Sequence, residues 1–184
     1  MKWDTRMLQL AALTATWSKD PSTKVGAVIT DGANRVVSQG YNGLPRGVSD
    51  DPAILADRDE KLRRTIHAEM NAVLFAGRPL TGCTIYVTHP PCARCAAVLI
   101  QAGIRRVVTT DRALGAHWAA ELASSERMLH EAGVRLIRLQ MPETPREAWV
   151  SVLANAPYCR SSLGNPGVFL SDNDCLRISA SLGL

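Results

Sequence analysis

Two short segments of the chain contain residue types that can do metal chemistry together. The first is His67-Ala68-Glu69, and the second is Pro91-Cys92-Ala93-Arg94-Cys95. One imidazole and two thiolates offer three ligands to Zn²⁺, and catalytic zinc sites use three protein ligands and leave one position to water. Zinc lowers the pKa of such a water from about 15.7 to about 7. The carboxylate of Glu69 can then carry a proton between this water and a leaving group.

The two segments are informative mainly in combination. A lone histidine is usually packed or solvated, and a Cys-x-x-Cys pair also occurs in redox proteins and zinc ribbons. A ribbon needs a second such pair, which the sequence lacks, and a redox motif does not call for an upstream His-x-Glu. The joint pattern is the signature of zinc deaminases of cytosine and adenine, in which the Glu acts as acid and base. It therefore predicts a deaminase site, with a zinc-stabilised binding module as the weaker alternative.

Two helices are predicted to bring these segments together. The first runs over 66–76 with Thr65 as its N-cap, and it carries both His67 and Glu69. The second runs over 92–102, so that both cysteines lie in its first turn. The partial positive charge at a helix N-terminus favours a nearby carboxylate. We therefore expect the site where two helix N-termini meet at one end of a sheet.

The other elements predict an α/β fold. Apolar residues at four-residue spacing, widened by Leu13 and Trp17, predict a helix over 3–18 whose Trp3 side packs against the core. Alternation in the later half of the chain predicts parallel strands with helices on both faces. The predicted strands are 25–30 and 35–39, which form a hairpin, then 83–89, 105–110 and 134–139, with a further helix over 118–132. These elements predict a three-layer α/β/α sandwich with a central mixed sheet of about five strands.

Two internal segments are predicted to lie outside these elements. Residues 40–47 contain three glycines and a proline, so they form a loop that either contacts a ligand or lies at the surface. Residues 49–64 are rich in charge, which predicts a solvated loop with a short helical turn.

The character of the chain changes after Met141, where prolines and glycines interrupt weak apolar patches. We therefore expect a deaminase domain over 1–140 and a C-terminal extension of unknown role over 141–184. A helix over 144–155 is compatible with the pattern. Cys159 and Cys175 lie in this extension and are interpreted as thiols without a role.

Composition limits the remaining function classes. The chain has 184 residues, a net charge of +4 and 5% aromatic residues. A polynucleotide deaminase needs a basic channel and stacking aromatics, so nucleic acid is not the expected partner. The sequence contains no apolar stretch of about 18 residues, so no membrane span is expected. Five cysteines at this spacing suggest metal binding rather than a disulfide framework, which fits a cytoplasmic protein.

Several further motifs, taken in order, resemble those of the deoxycytidylate (dCMP) deaminases. The resemblance covers about residues 1–140. The 40–45 loop, the segment Ser18-Lys-Asp-Pro21 and Asn71 narrow it to the nucleotide branch of the cytidine deaminase-like superfamily. The matching segments are Ser18-Lys-Asp-Pro-Ser-Thr-Lys-Val-Gly-Ala-Val-Ile29, Gly40-Tyr-Asn-Gly-Leu-Pro45, His67-Ala-Glu-Met-Asn-Ala72, Pro91-Cys-Ala-Arg-Cys-Ala96 and Ile100-Gln-Ala-Gly-Ile104.

The resemblance implies a specific reaction. It implies zinc on His67, Cys92 and Cys95, with hydroxide attacking C4 of cytosine. It also implies that Glu69 protonates N3 and relays the proton to departing ammonia, which converts dCMP to dUMP. Asn42 matches the residue that contacts the sugar or base in related enzymes. The predicted substrate contacts are Asn42, Lys24, Ala68, Pro91 and Arg112.

The resemblance also implies regulation. The family's glycine-rich loop, here Gly40, Tyr41, Asn42 and Gly43, belongs to an allosteric site at subunit contacts. There dCTP activates and dTTP inhibits, usually with Mg²⁺. We therefore expect a homo-oligomer, either a dimer or the hexamer common in the family.

Two departures from the family pattern affect the substrate. Related enzymes often present tyrosines after the fourth strand, whereas this chain has Thr109-Thr110-Asp111-Arg112. Arg112 is expected to take over a phosphate contact. Pro90-Pro91 also stands in place of a longer linker before the first zinc cysteine. The alternatives are therefore deaminases of CMP, a 5-substituted dCMP or a nucleoside.

Overall fold

A mixed sheet of five strands forms the centre of the computed structural model, which describes residues 2–112 and 114–140. The strands are β1 (Gly26–Thr30), β2 (Val36–Tyr41), β3 (Thr84–Val87), β4 (Arg106–Thr110) and β5 (Arg135–Leu139). The helices are α1 (Lys2–Ala15), α2 (Pro52–Ala56), α3 (Arg58–Arg64), α4 (Ala68–Phe75), α5 (Ala93–Gln101) and α6 (Ala119–Glu131). The predicted helix over 144–155, Cys159 and Cys175 lie outside the described residues. Among the described helices, none has the length and apolar character that crossing a membrane requires.

The strand order is β2-β1-β3-β4-β5. β1 pairs antiparallel with β2 and with β3, while β3, β4 and β5 run parallel to one another. The hairpin and the parallel half were both predicted, since two-residue periodicity and strand–helix alternation are local signals. The arrangement confirms the three-layer fold with a mixed five-stranded sheet.

Alternating side chains on the central strands build one apolar core on each face of the sheet. Ile85 and Val107 point towards α4, α5 and α6, whereas their neighbours Tyr86 and Val108 point towards α1. The alternation follows from the pleat of a strand. Burial of each large apolar side chain contributes about 1.5–3 kcal/mol. The two cores hold α4 and α5, which carry the candidate site, rigidly against one face.

The buried face of α1 differs from the prediction. Trp3, Leu13 and Trp17, which were expected in the core, are about half exposed, at 48%, 52% and 49%. Asp4 is buried instead, and the Arg106 guanidinium donates to both of its carboxylate oxygens at 2.8 Å. Arg106 on β4 supplies the positive charge that compensates the buried Asp4 carboxylate. The periodicity of α1 alone does not reveal this contact.

Residues 49–64 form two short helices rather than a loop with one turn. The Asp51 side chain accepts from the Ala53 amide and begins α2, and the Asp57 side chain accepts from the Glu60 amide and begins α3. Aspartate is a strong N-cap because it satisfies free amides of the first turn. Thr65 ends α3, so its predicted role as the N-cap of α4 is wrong.

Gly40 allows β2 to lie directly against α4. A Cβ at this position would come within 2.5 Å of the Ala68 carbonyl oxygen and 2.4 Å of the Ala72 amide nitrogen. Gly40→Ala is therefore expected to destabilise the fold by at least about 1–3 kcal/mol, because backbone atoms must move apart. Chemical denaturation measures this loss. Gly32→Ala is the matched control, since a Cβ there meets nothing within 4 Å. Equal stability of the two variants would contradict the close approach.

Candidate active site

The structure brings His67, Cys92 and Cys95 together at the N-termini of α4 and α5. His67 is the N-cap of α4, Cys92 is the N-cap of α5, and Cys95 follows in its first turn. The helices therefore begin one or two residues later than predicted. The Nδ1 atom of His67 lies 3.6 Å from Cys92 Sγ and 3.3 Å from Cys95 Sγ. All three ligand atoms lie within 4.8 Å of one another.

This geometry fits a zinc ion. Tetrahedral zinc with Zn–S distances of about 2.3 Å and Zn–N distances of about 2.0–2.1 Å separates neighbouring N and S ligand atoms by about 3.5 Å. The two nitrogen–sulfur distances fall close to this value. One nitrogen and two sulfur atoms also form the borderline-soft donor set that zinc prefers. The three side chains can hold zinc and leave one coordination position open.

The two cysteines differ in their tendency to ionise. A hydrogen bond from Cys95 lowers the pKa of Cys92 to about 4, although burial acts in the opposite direction, and His67 contributes further. The same hydrogen bond and burial raise the pKa of Cys95. Thiolate is the form that binds metal. Cys92 is therefore a thiolate at neutral pH, the form that binds zinc. Cys95 would have to release a proton in order to bind zinc.

Glu69 occupies the first turn of α4 and is only 4% exposed. Burial raises the pKa of its carboxyl group, and the neighbouring His67 opposes this rise. The expected stabilisation of the carboxylate by the helix N-terminus is thus smaller than the cost of removing it from water. A carboxyl group with a raised pKa is a stronger base, so it takes up a proton more readily and can later return it.

A cavity of about 620 Å³ opens in front of Glu69 and the zinc ligands. It is large enough for a nucleotide, and most of the side chains that line it are polar or charged. The residues around it come from the loop before β1, from α3 and α4, and from the segments that follow β3 and β4. Its lining includes Asp20, Ser22, Thr23, Lys24, Asn42, Arg58, Lys61, His67, Ala68, Glu69, His89, Pro90, Cys92, Arg112, Leu114, His117 and Trp118.

Four positively charged side chains line this cavity. Lys24 and Arg112 were predicted as substrate contacts, and both lie on its wall. Arg58 and Lys61 also line it but were missed, because the charged stretch that contains them has the composition of a solvated surface. The excess of positive charge suits an anionic substrate group.

Asn42 lines the cavity with its side-chain amide already engaged. The Val25 amide donates to Asn42 Oδ1 at 2.8 Å, and Asn42 Nδ2 donates to the Thr23 carbonyl at 2.9 Å. These bonds fix the loop that carries Lys24. The amide group can still offer its second N–H to a ligand.

The other two predicted contacts are placed differently. Ala68 lines the cavity beside His67. Pro90 and Pro91 are both buried, and Pro90 rather than Pro91 lines the cavity.

The four residues predicted for regulation lie in three different places. Tyr41 and Gly43 line a separate cavity of about 260 Å³ together with residues 44–48 and the Lys19–Asp50 ion pair. Gly40 packs against α4, and Asn42 faces the larger cavity.

Asp20 and Lys61 form a buried ion pair on the wall shared by the two cavities. Lys61 Nζ lies 2.9 Å from Asp20 Oδ1, and their side chains are only 6% and 10% exposed. Burial favours the neutral acid, but the Lys61 hydrogen bond and those from Ser22 and Thr23 outweigh it, so the pKa of Asp20 is lowered. The pair therefore stabilises the folded protein above pH about 4, and this contribution is lost as the pH falls through the lowered pKa.

Lys61→Met should therefore destabilise the protein by about 3–5 kcal/mol at pH 7, because the Asp20 carboxylate remains buried without its partner. The difference from wild type should shrink towards pH 4, where Asp20 of the variant becomes protonated. Urea unfolding at several pH values measures this. Arg63→Met is the control, because Arg63 pairs with Glu60 at the surface and its loss should change little. A pH-independent difference would contradict the charge argument.

Known proteins resemble this chain in sequence and fold. The family model for the cytidine and deoxycytidylate deaminase zinc-binding region matches residues 1–111. An uncharacterized deaminase from the luxG 3′ region of Aliivibrio fischeri is 48% identical over 76% of this chain and 95% of its own length. The deoxycytidylate deaminase of Homo sapiens is 36% identical over 73% of this chain and 78% of its own.

A solved structure supports the fold. The dCMP deaminase of the cyanophage S-TIM5, determined in complex with dCMP and dUMP, aligns with a TM-score of 0.62 and 21% identity. The alignment covers 75% of this chain and 97% of the phage protein. Together with the family match and the His/Cys/Cys cluster, these similarities show that the chain belongs to the cytidine and deoxycytidylate deaminase family.

Proposed function

We propose that the protein hydrolyses dCMP to dUMP and ammonia with one zinc ion held by His67, Cys92 and Cys95. The observation that carries this proposal is the buried Glu69 carboxyl beside the three ligands, in a cavity lined by four cationic side chains. The deoxycytidylate deaminases among the relatives and the phage enzyme with dCMP and dUMP support the same substrate.

Glu69 is the proton carrier of this mechanism. When bound, zinc supplies a water that is acidic enough to act as the nucleophile at neutral pH. Glu69 takes a proton from the attacking water and places it on N3 of the pyrimidine. It then takes the proton of the hydroxyl newly formed at C4 and delivers it to the amino group, which leaves as ammonia. Its position in the first turn of α4, two residues from His67, holds it within reach of the reacting carbon.

The cationic side chains recognise the 5′-phosphate. Lys24 is held in place by the Asn42 bonds to the residues on either side of it, and Arg112 follows β4. Arg58 adds a third charge from α3. A site with these charges should reject a substrate without phosphate, because the cations would then be desolvated without a partner.

The test is ammonia release from zinc-loaded protein with dCMP, CMP, 5-methyl-dCMP and deoxycytidine as separate substrates. We expect the highest kcat/KM for dCMP and at least about 10²-fold less for deoxycytidine. Equal turnover of the nucleoside would contradict phosphate recognition. Preference for CMP or the methylated nucleotide would move the assignment to that substrate, and inertness towards all of them would favour a non-catalytic zinc module.

We also propose that the smaller cavity binds a triphosphate effector, dCTP or dTTP, with Mg²⁺. Tyr41 and Gly43 line it together with the Lys19–Asp50 ion pair and the cationic side chain of Arg46. Steady-state curves for dCMP with and without dCTP and Mg²⁺ test this. Superimposable curves under all conditions would contradict the proposal.

We further propose a homo-oligomer, a dimer or a hexamer, that works in the cytoplasm. Leu74 and Phe75 at the end of α4 are 67% and 51% exposed, and such apolar side chains are compatible with a subunit contact. A reducing compartment keeps the zinc thiols free. Residues 1–140 form the deaminase domain in this proposal, and 141–184 are an extension without an assigned role. Light scattering of the full chain distinguishes a monomer from either oligomer.

A further inference from the structure

His89 lies on the wall of the catalytic cavity but has no part in the mechanism above. It follows β3, is 9% exposed, and lines the same cavity as Glu69, Cys92 and Arg112. A buried ionisable ring at this place either fills space or contacts the substrate. The hydrogen bonds around it decide which nitrogen carries its proton.

The residue before it, Thr88, is held by its neighbours on both sides in the sheet. The Thr88 amide donates to the Gly26 carbonyl at 3.1 Å, and the Thr110 hydroxyl donates to the Thr88 carbonyl at 2.8 Å. The Gly26 amide in turn donates to Thr88 Oγ1 at 3.2 Å. The Thr88 hydroxyl is therefore fixed in position, and one of its lone pairs is already used.

The same hydroxyl lies 3.2 Å from His89 Nδ1. A hydroxyl has one proton to donate, and the Gly26 amide cannot accept it. Of the two partners recorded for this hydroxyl in the described residues, His89 Nδ1 is the one that can accept its proton. An Nδ1 that accepts this proton leaves the proton of the neutral imidazole on Nε2.

Burial, together with the nearby positive charge of Arg112, lowers the pKa of His89 to about 4. The ring is therefore uncharged at neutral pH, in agreement with the hydrogen-bond argument. An uncharged donor can lie close to the Arg112 guanidinium without the repulsion that two cations would suffer.

We propose that Thr88 holds His89 as the neutral Nε2–H tautomer, and that this N–H donates to an oxygen acceptor of the bound nucleotide and so determines substrate specificity. The inference rests on the proposed function. The acceptor is an oxygen of the phosphate or of the pyrimidine base, since both offer the same hydrogen-bond chemistry. His89 acts in binding and leaves proton transfer to Glu69.

The test compares His89→Phe, which keeps a ring without a donor, with His89→Gln, which keeps an N–H. We expect KM for dCMP to rise about 10–100-fold in His89→Phe, as for loss of a hydrogen bond to a charged or strongly polar group, with a smaller change in kcat. His89→Gln should recover part of the loss. Zinc content and thermal stability are measured for each variant.

The Thr88 step has its own pair of variants. Thr88→Ser keeps the hydroxyl and should retain the wild-type KM, whereas Thr88→Val removes it and should raise KM. Thr109→Val is the matched control, because the Thr109 hydroxyl is buried without a hydrogen-bond partner and does not line the cavity. It should leave KM unchanged.

Deoxycytidine as a second substrate identifies the acceptor. A rise in KM for dCMP only would assign the phosphate, and an equal rise for both would assign the base; either supports the proposal. An unchanged KM in His89→Phe would overturn it. Equal losses in His89→Phe and His89→Gln, with lost zinc or stability, would overturn it in favour of a packing role.

The assay of wild type separates this inference from the proposed function. If the wild-type protein turns over no cytosine nucleotide, the function fails on that result alone. The role of His89 is then decided by calorimetric binding of dCMP and dUMP to wild type and His89→Phe. Equal affinities of the two proteins would overturn it independently.

Discussion

Glu69→Gln should lower kcat for dCMP by at least about 10²–10⁴-fold while leaving zinc content at one ion per chain. The amide has nearly the shape of the carboxylate but cannot take up and return a proton. Glu69 is also buried, so water cannot easily replace it as the proton carrier. KM should change much less than kcat, because the carboxyl acts mainly on the reacting atoms.

The control for this experiment is Glu131→Gln, at the exposed end of α6. It makes the same chemical change away from the cavity and should retain wild-type kinetics. Ammonia release and zinc analysis on the same preparations are the measurements. Substantial activity in Glu69→Gln, or in Glu69→Ala, would contradict the role given to this carboxyl.

Cys95→Ser should abolish both zinc retention and activity. Cys95 is fully buried between the first turns of α4 and α5, and its sulfur lies 3.3 Å from His67 Nδ1. A serine hydroxyl stays protonated at neutral pH and binds zinc poorly, so one of three ligands is lost. We expect zinc content well below one ion per chain after dialysis against a chelator that leaves wild type loaded.

Zinc should also stabilise wild type and not the variant. A ligand that binds only the folded state adds about 2.7 kcal/mol at a concentration one hundred times its Kd. Thermal melts with and without zinc measure this difference. Cys83→Ala is the matched control, because Cys83 is equally a buried thiol but lies outside the cluster. A zinc-dependent rise in Tm that persists in Cys95→Ser would contradict the assigned ligand.

The chemistry of the site could be predicted from the sequence because it depends on residues that are close together in the chain. His67 and Glu69 are two residues apart, and the two cysteines are three apart, so their spacing survives in any fold that keeps each segment helical. The sequence also predicted which of the main segments are helices and which are strands. Their hydrophobic periodicities, of two residues or of nearly four, appear within each segment. The three-layer fold followed from the order of those elements.

Contacts between segments that are distant in the chain could not be predicted from local patterns. Asp4 is buried because Arg106 and Tyr86 lie across from it on the sheet, more than 80 residues away in the chain. Arg58 and Lys61 lie in a charged stretch whose composition is typical of a solvated surface, yet the fold places both on the cavity wall.

The division is clearest at the catalytic cavity. The amino-acid sequence was enough to predict which side chains can hold zinc and which carboxyl can move a proton, because these properties depend on residue type and short spacing. The three-dimensional arrangement was needed to show that Pro90 rather than Pro91 lines the cavity, and that the neighbours of Thr88 fix its hydroxyl beside His89 Nδ1. Those outcomes depend on hydrogen bonds and burial between strands that are far apart in the chain, which no local pattern encodes.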